Sequence, residues 1–309
     1  MISPSDTERI RRAAALIREG KLVAFPTETV YGLGANALDA AAVEKIFRVK
    51  GRPSTSPLIV HVASREAARA LTTEWPDAAE TLSRKFWPGP LTLVLPKRDC
   101  IPSVVTAGLA TVGLRVPANP VALALLVEAQ LPIAAPSANR FTELSPTKAE
   151  HVRQSLGDDV DLILDGGSAE VGIESTVLSL ADPTPLLFRP GMISRVQIEE
   201  VIGDVRVAGN PLEGPHPSPG MHLKHYSPRT TLLLGLPQTG RGAYLWLTRP
   251  AEAAKRIRMP ANPARYAAAL YETLHAVDGE GFDWIAVEPP PDSPEWAGIN
   301  DRLKRAAAI

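Results

Sequence analysis

Short apolar runs alternate with helix-patterned segments along the first two hundred residues, and this alternation restricts the chain to an α/β architecture. A helical segment with Ile10, Ala13, Ala14 and Ile17 on one face stops at Gly20, and "KLVAFP" follows as a buried strand. A helix around 40–49, with Val43, Ile46 and Phe47 inward, precedes the strand "LIVHV" at 58–62. Helices near 65–71 and 77–86 precede "LTLVL" at 91–95. Further strands are predicted at 111–116, 131–135, 160–164, 175–180 and 186–189, with helices at 120–129, 147–154 and 194–202. A mixed sheet with flanking helices is the expected result.

The pattern stops at 203–228, "GDVRVAGNPLEGPHPSPGMHLKHYSP", where glycine and proline are dense and no apolar period survives. Such a stretch reads as a semi-extended linker. After it, "TTLLLG", "GAYLWL", a helix at 262–277, "DWIAVE" and a last helix at 294–307 form a smaller α/β unit. The 309 residues suit two domains. The expected division is a first domain over 1–205, a linker over 206–228 and a second domain over 229–309.

Composition narrows the function classes. A hydrophobic share of 45% with 22% charged residues is that of a soluble globular protein, and a net charge of −1 leaves room only for a local basic site. One cysteine, Cys100, excludes an internal disulfide framework and fits a reducing compartment. The N-terminus is too often interrupted by charge for a secretory signal, and no run approaches the ~20 apolar residues of a membrane span. A cytoplasmic protein without membrane contact is expected.

Four polar clusters at strand ends and in loops are the candidates for chemistry. In "FPTETVYGLGA" (25–35), Gly32 and Gly34 follow a strand and could turn backbone amides toward an anion. The same glycines tempt a dinucleotide-binding reading, but the ribose-binding acid expected ~20 residues on is replaced by the basic segment around Arg52. The second cluster, "KIFRVKGRPSTSPLIVHV" (45–62), carries Lys45, Arg48, Lys50 and Arg52 with no acid; its plainest reading is a solvated helix end and a turn. The third, "GLRVP" (113–117), sets Arg115 among apolar neighbours, where it must be paired, either with a substrate anion or with an acid of the scaffold. The fourth is "APSANRFTELSPT" (135–147), followed by "GGSAEVGIEST" (166–176) and "LFRPG" (187–191). Its hydroxyls and amides are common turn formers, yet their number points to a ligand. No phosphate-binding P-loop and no nucleophile elbow is present, and the histidines at 216, 222 and 225 lack an acid or cysteine at zinc-ligand spacing.

Taken in order, "FPTETVYGLGANA", "KGRPSTSPLIVHV", "FWPGPLTLVL", "VGLRVP", "APSANRFTELSPT", "IESTVL" and "LFRPG" closely resemble the threonylcarbamoyl-AMP synthase family, Sua5/YrdC, over about residues 7–202. The linker with "HYSP" and the C-terminal unit resemble its two-domain Sua5 branch. The resemblance implies a YrdC-like open twisted mixed sheet with flanking helices, plus a small C-terminal Rossmann-like α/β domain. It implies condensation of L-threonine, bicarbonate and ATP to threonylcarbamoyl-AMP and pyrophosphate, a nucleotidyltransferase reaction that feeds t6A37 modification of tRNA. Carried over position by position, Arg52, Ser56, Thr111, Ser137, Ser145, Arg189 and Tyr226 fall where the family contacts ATP. Thr29, His61, Arg115, Ala135 (through its backbone) and Ser175 fall where it contacts threonine. The family commonly has asparagine where Ser56 stands. Lys50 and Arg52 are the catalytic candidates, chosen for charge; Mg²⁺ is expected through the ATP phosphates, with no metal held by protein ligands alone. Contact with tRNA or with a threonylcarbamoyl-transferase complex is a further expectation. The rival reading is a non-enzymatic RNA-binding module of the same fold. The proline-rich 210–228 segment carries one more expectation, that it closes over the nucleotide with Tyr226 reaching ATP.

Overall fold

A computed structural model describes residues 4–209, 224–237 and 239–307. The first part of the chain runs α1 (Pro4–Arg18), β1 (Val23–Phe25), β2 (Gly32–Asn36), α2 (Ala40–Lys50), β3 (Ile59–His61), α3 (Arg65–Arg69), α4 (Asp77–Phe86), β4 (Leu91–Pro96), α5 (Ser103–Thr106) and β5 (Thr111–Arg115). It continues through α6 (Pro120–Ala129), β6 (Ile133–Ala134), α7 (Ala149–Leu156), β7 (Leu162–Ile163), β8 (Thr176–Ser179), β9 (Leu186–Arg189), α8 (Arg195–Ile202) and β10 (Arg206–Val207). The second part holds β11 (Thr231–Leu234), β12 (Gly242–Trp246), β13 (Lys255–Arg258), α9 (Pro263–Asp278), β14 (Trp284–Val287) and α10 (Ala297–Ala306).

The strands of the first part form one mixed sheet in the order β10-β9-β8-β4-β5-β3-β6-β2-β1-β7. Parallel pairs such as β3 with β5 alternate with antiparallel ones such as β4 with β5. One core includes Val43, Ile46, Val60 and Leu93, and a second includes Ile10, Ala13, Ile17 and Leu125 where α1 meets α6. The second part is a four-stranded, all-parallel sheet in the order β11-β14-β12-β13, with α9 as the crossover from β13 to β14. The α/β class with a large mixed sheet and a smaller parallel one is as the sequence predicts.

Two local readings change. "GLGAN" is a buried strand, β2, pairing antiparallel with both β1 and β6, rather than a turn offering amides to an anion. Its glycines answer to packing: a Cβ on Gly34 would stand 2.8 Å from both the Phe25 ring and Ile133. At the far end, Arg206–Val207, inside the expected linker, pairs with β9 as an edge strand. The expectation of a closing segment falls largely on residues 210–223, which lie outside the described residues.

The two parts pack through shared apolar residues. Val30, Leu144 and Ile173 join the cluster built by Tyr266, Leu270, Tyr271 and Leu303. Helix α10 comes so near the loop after β9 that a Cβ on Gly298 would meet Gly191 Cα at 2.8 Å, so only glycine permits this approach. Among the described residues, no helix is long and apolar enough to cross a membrane.

Candidate active site

His61 and Arg115 close β3 and β5 as register partners, so both side chains leave the sheet on the same face. They line an open cleft with about 530 Å³ of empty space, part of it continuous with solvent. The loop after β1 adds Thr27 and Thr29, the segment after β6 adds Ala135 and Ser137, the residues before β8 add Glu174 and Ser175, and the end of β9 adds Arg189. Arg52, His225 and Tyr226 complete the wall.

Of the sequence candidates, the cleft therefore brings together Arg52, Ser137, Arg189 and Tyr226 from the nucleotide set with Thr29, His61, Arg115, Ala135 and Ser175 from the threonine set. Four stand apart from its lining. Ser56 is fully buried and accepts a hydrogen bond from Arg52 Nη2 at 2.5 Å, so it aims the arginine. Ser145 donates to the Glu174 carboxylate. Thr111 borders a separate small cavity with Thr92 and Thr106. Lys50 is buried, and its ammonium donates to the carbonyls of Ser137 (2.6 Å) and Asn139, tying the end of α2 to the loop that presents Ser137. Burial and the neighbouring Arg52 push the Lys50 ammonium well below its usual range.

The part of the lining that holds Thr29, Ala135 and Arg115 is tightly wired. Thr27 donates to the Val30 carbonyl at 2.6 Å, which leaves Thr29 as the donor in its 2.8 Å contact with the Thr27 hydroxyl. The Thr29 oxygen keeps acceptor capacity for a ligand. Ala135 spends its amide on the Ile59 carbonyl, so a ligand can use only its carbonyl. Arg115 donates through Nε to Gly89 O at 3.2 Å and faces Glu28 at 2.7 Å. His61 Nδ1 is buried without a hydrogen-bond partner, and burial first, then Arg115, lowers its pKa from 6.5 to about 3. The imidazole is neutral at any physiological pH.

Elsewhere in the lining, Arg189 donates to Ser175 O (3.1 Å) and Oγ (3.3 Å), and Ser175 in turn contacts Thr92 at 2.8 Å. Arg52 also reaches the Pro57 carbonyl at 3.1 Å; burial lowers its pKa to about 10, so it remains a cation. Glu174 is the acid in the cleft lining. Burial alone would raise its pKa, but Arg302 first, then Arg189, and hydrogen bonds hold it below the usual carboxylate value. Both its oxygens are engaged: Oε1 by Ser145, Oε2 by Arg302 at 2.6 Å and Tyr271 at 3.2 Å. Among the described residues no group of three His, Cys, Asp or Glu side chains could hold a metal ion. With Glu174 saturated and Glu28 set against Arg115, the acids here offer a metal no free ligand set.

Sequence reasoning missed Thr27, Glu28, Glu174 and, from the second domain, Tyr271 and Arg302. Glu28 and Glu174 were within reach, since Glu28 stands between Thr27 and Thr29 and Glu174 directly precedes Ser175 and Thr176. Nothing in "INDRLKRA" marks Arg302.

The family model described as "Telomere recombination", which covers Sua5, YciO and YrdC proteins, matches residues 15–191. A second, described as "Threonylcarbamoyl-AMP synthase, C-terminal domain", matches residues 193–308. The chain belongs to the Sua5/YrdC family. Within this family, the threonylcarbamoyl-AMP synthase of Bacillus subtilis (strain 168) is 46% identical over 328 residues, which cover 99% of this chain and 94% of the relative. Sua5 of Pyrococcus abyssi, solved in complex with L-threonine, superposes with a TM-score of 0.92 at 39% identity, covering 97% of this chain and 94% of that one. YciO of E. coli, at 27% identity and a TM-score of 0.53, covers 60% of this chain and 90% of its own. The Sua5/YrdC likeness to Sua5 thus includes the second domain, whereas the YciO likeness does not extend over the whole chain.

Proposed function

We propose that the protein is an L-threonylcarbamoyladenylate synthase, a nucleotidyltransferase that joins L-threonine, bicarbonate and ATP. The observation that carries this reading is the convergence of three buried arginines, Arg52, Arg115 and Arg189, on one hydroxyl-lined cleft. Three arginines set against Glu28 and Glu174 leave a net positive charge that an anionic ligand can meet. A triphosphate with about four negative charges, together with an amino-acid carboxylate, meets that charge.

Arg115 takes the threonine carboxylate, with Thr29, Ser175 and the Ala135 carbonyl around the rest of the amino acid. Arg52 and Arg189, with Ser137 and Tyr226, take the nucleotide. The threonine amine adds to the bicarbonate carbon and water is lost, giving a carbamate. A carbamate oxygen then attacks the α-phosphorus, the bond to the bridging oxygen breaks, and pyrophosphate leaves. Neutral His61 is too weak a base to take the amine proton, so it orients rather than titrates. Rate comes from holding amine, carbon and phosphorus in line, with effective molarities of ~10⁵–10⁸ M available to such arrangements. Mg²⁺ would arrive on the triphosphate it neutralises. Lys50 and Ser56 support the site by fixing the Ser137 loop and Arg52.

In this reading residues 1–205, joined by Tyr226 of the linker, carry the chemistry, and 229–309 brace it. The adenylate supplies the t6A37 modification of tRNA, and contact with tRNA or a threonylcarbamoyl-transferase complex would hand it over. The test is pyrophosphate release from ATP, expected only with threonine and bicarbonate together. A protein that binds RNA and releases none would instead be the non-enzymatic module.

A further inference from the structure

Arg302 sits on α10 in the second domain, yet three of its contacts are with residues of the cleft or next to it. Its side chain is fully enclosed. Nε donates to Glu174 Oε2 at 2.6 Å, Nη2 to the Glu174 carbonyl at 3.2 Å, and Nη1 to the carbonyl of Pro190, next to Arg189, at 3.1 Å. The guanidinium lies 5.2 Å from the centre of the Tyr226 ring. Asp301 orients it from its own helix at 2.6 Å. Tyr271, on α9, adds its hydroxyl to the same Glu174 oxygen.

This is more than an ion pair across a domain boundary. The fork spans the segment before β8, which carries Glu174, the Pro190 carbonyl directly after Arg189 at the end of β9, and the Tyr226 ring, and Glu174, Arg189 and Tyr226 all line the cleft. A planar guanidinium presents its donors from three separate nitrogens at fixed angles, whereas an ammonium presents them from a single point. Arg302 does not line the cleft, so any influence on ligands passes through the residues it fixes.

We propose that Arg302 is a positioning residue of the active site, through which the second domain sets the nucleotide-side wall formed by Glu174, Arg189 and Tyr226. The proposal rests on the assignment of that wall to ATP. It makes α10 a part of nucleotide recognition, beyond its role in holding the two domains together.

The experiment measures ATP affinity by calorimetry, and KM for ATP and for threonine, in the full-length protein and two variants. Arg302→Lys keeps the charge and loses the fork. The double variant Arg302→Met with Glu174→Gln removes both charges, so no buried ion is left alone if Arg302→Met by itself fails to fold. Displacement of a binding group by about 1 Å can cost ~100-fold, so a loss in ATP affinity of roughly tenfold or more is expected in both variants, with threonine KM within about twofold of wild type. Wild-type ATP affinity in folded variants, whatever their melting temperatures, overturns the proposal, because a purely structural brace would lower stability alone. Equal losses for both ligands also overturn it. A wild-type protein that binds ATP but releases no pyrophosphate would refute the synthase reading while leaving the affinity ratio to decide the role of Arg302. A wild-type protein that binds no ATP refutes both.

Discussion

Arg115 and Glu28 meet at 2.7 Å with side chains almost wholly enclosed, yet neither Arg115 Nη2 nor Glu28 Oε1 finds an aligned hydrogen bond. The other Glu28 oxygen accepts from the Ala118 amide at 3.0 Å, which anchors the acid. Glu28 therefore compensates the arginine's charge from within the wall, while Arg115 still lines the cleft, where a ligand carboxylate can meet it. Both alternatives open for Arg115 at the sequence level, scaffold pairing and substrate binding, are compatible in this arrangement.

From this pair follows a prediction with two separable parts. Arg115→Ala should raise the threonine half-saturation point by at least tenfold, since a charge-assisted hydrogen bond contributes ~1.5–3 kcal/mol, while ATP affinity stays near wild type. It should also cost about 3–5 kcal/mol of stability by stranding Glu28. Adding Glu28→Gln should recover much of that stability in chemical denaturation and none of the threonine affinity. An unchanged threonine titration would make Arg115 purely structural.

Arg52→Ala and Arg189→Ala should behave in the reverse sense, weakening ATP binding and turnover with little change in threonine recognition. Ser56→Ala should show a milder form of the Arg52 defect, because it removes the 2.5 Å contact that aims the guanidinium. Steady-state kinetics in both substrates separate these outcomes.

For Lys50 the expected result is a stability effect. Lys50→Met leaves the Ser137 and Asn139 carbonyls without their donor, at ~1–3 kcal/mol each. At saturating substrates the variant should keep turnover within about threefold, measured below its melting temperature. A loss of a hundredfold or more in a folded variant would restore Lys50 as a catalytic cation.

The domain contact carries a pH signature. His151 of α7 and His275 of α9 stack with ring centres 3.8 Å apart, and His275 Nε2 lies 3.1 Å from the Ser145 carbonyl. Burial, then the facing His275 and Lys148, lower the His151 pKa from 6.5 to about 4, and burial lowers His275 as well. The unfolded chain thus binds more protons than the native one between pH 6.5 and about 4. Stability should be level above that window, fall through it, and level off again for this pair below it. His151→Gln should flatten the slope in denaturant melts taken across the window; an unaltered slope would assign it to other groups.

Much of the fold is legible in the sequence because its strands are short apolar runs between helix-patterned segments, a local signal. β2 is not, since Gly32 and Gly34 carry no strand propensity and are there for contacts with Phe25, Ile133 and Ala135 that only the tertiary structure creates. The candidate site divides in the same way. Arg52, Arg115 and Arg189 stand out as cations in apolar or proline-rich surroundings. The charge pairs around them do not, because Glu28 lies 87 residues from Arg115 in the chain, and Arg302, the partner of the cleft acid Glu174, lies 128 from it. Lys50 stands out in the sequence by its charge, whereas its burial and its two carbonyl partners are features of the tertiary structure alone.

The most direct test of the account is a pyrophosphate-release assay with purified full-length protein, ATP and Mg²⁺, in which threonine and bicarbonate are withheld separately and together. The account predicts release only when both are present, with threonylcarbamoyl-AMP formed in equal amount. Release indifferent to threonine, or none with all components supplied, would contradict it.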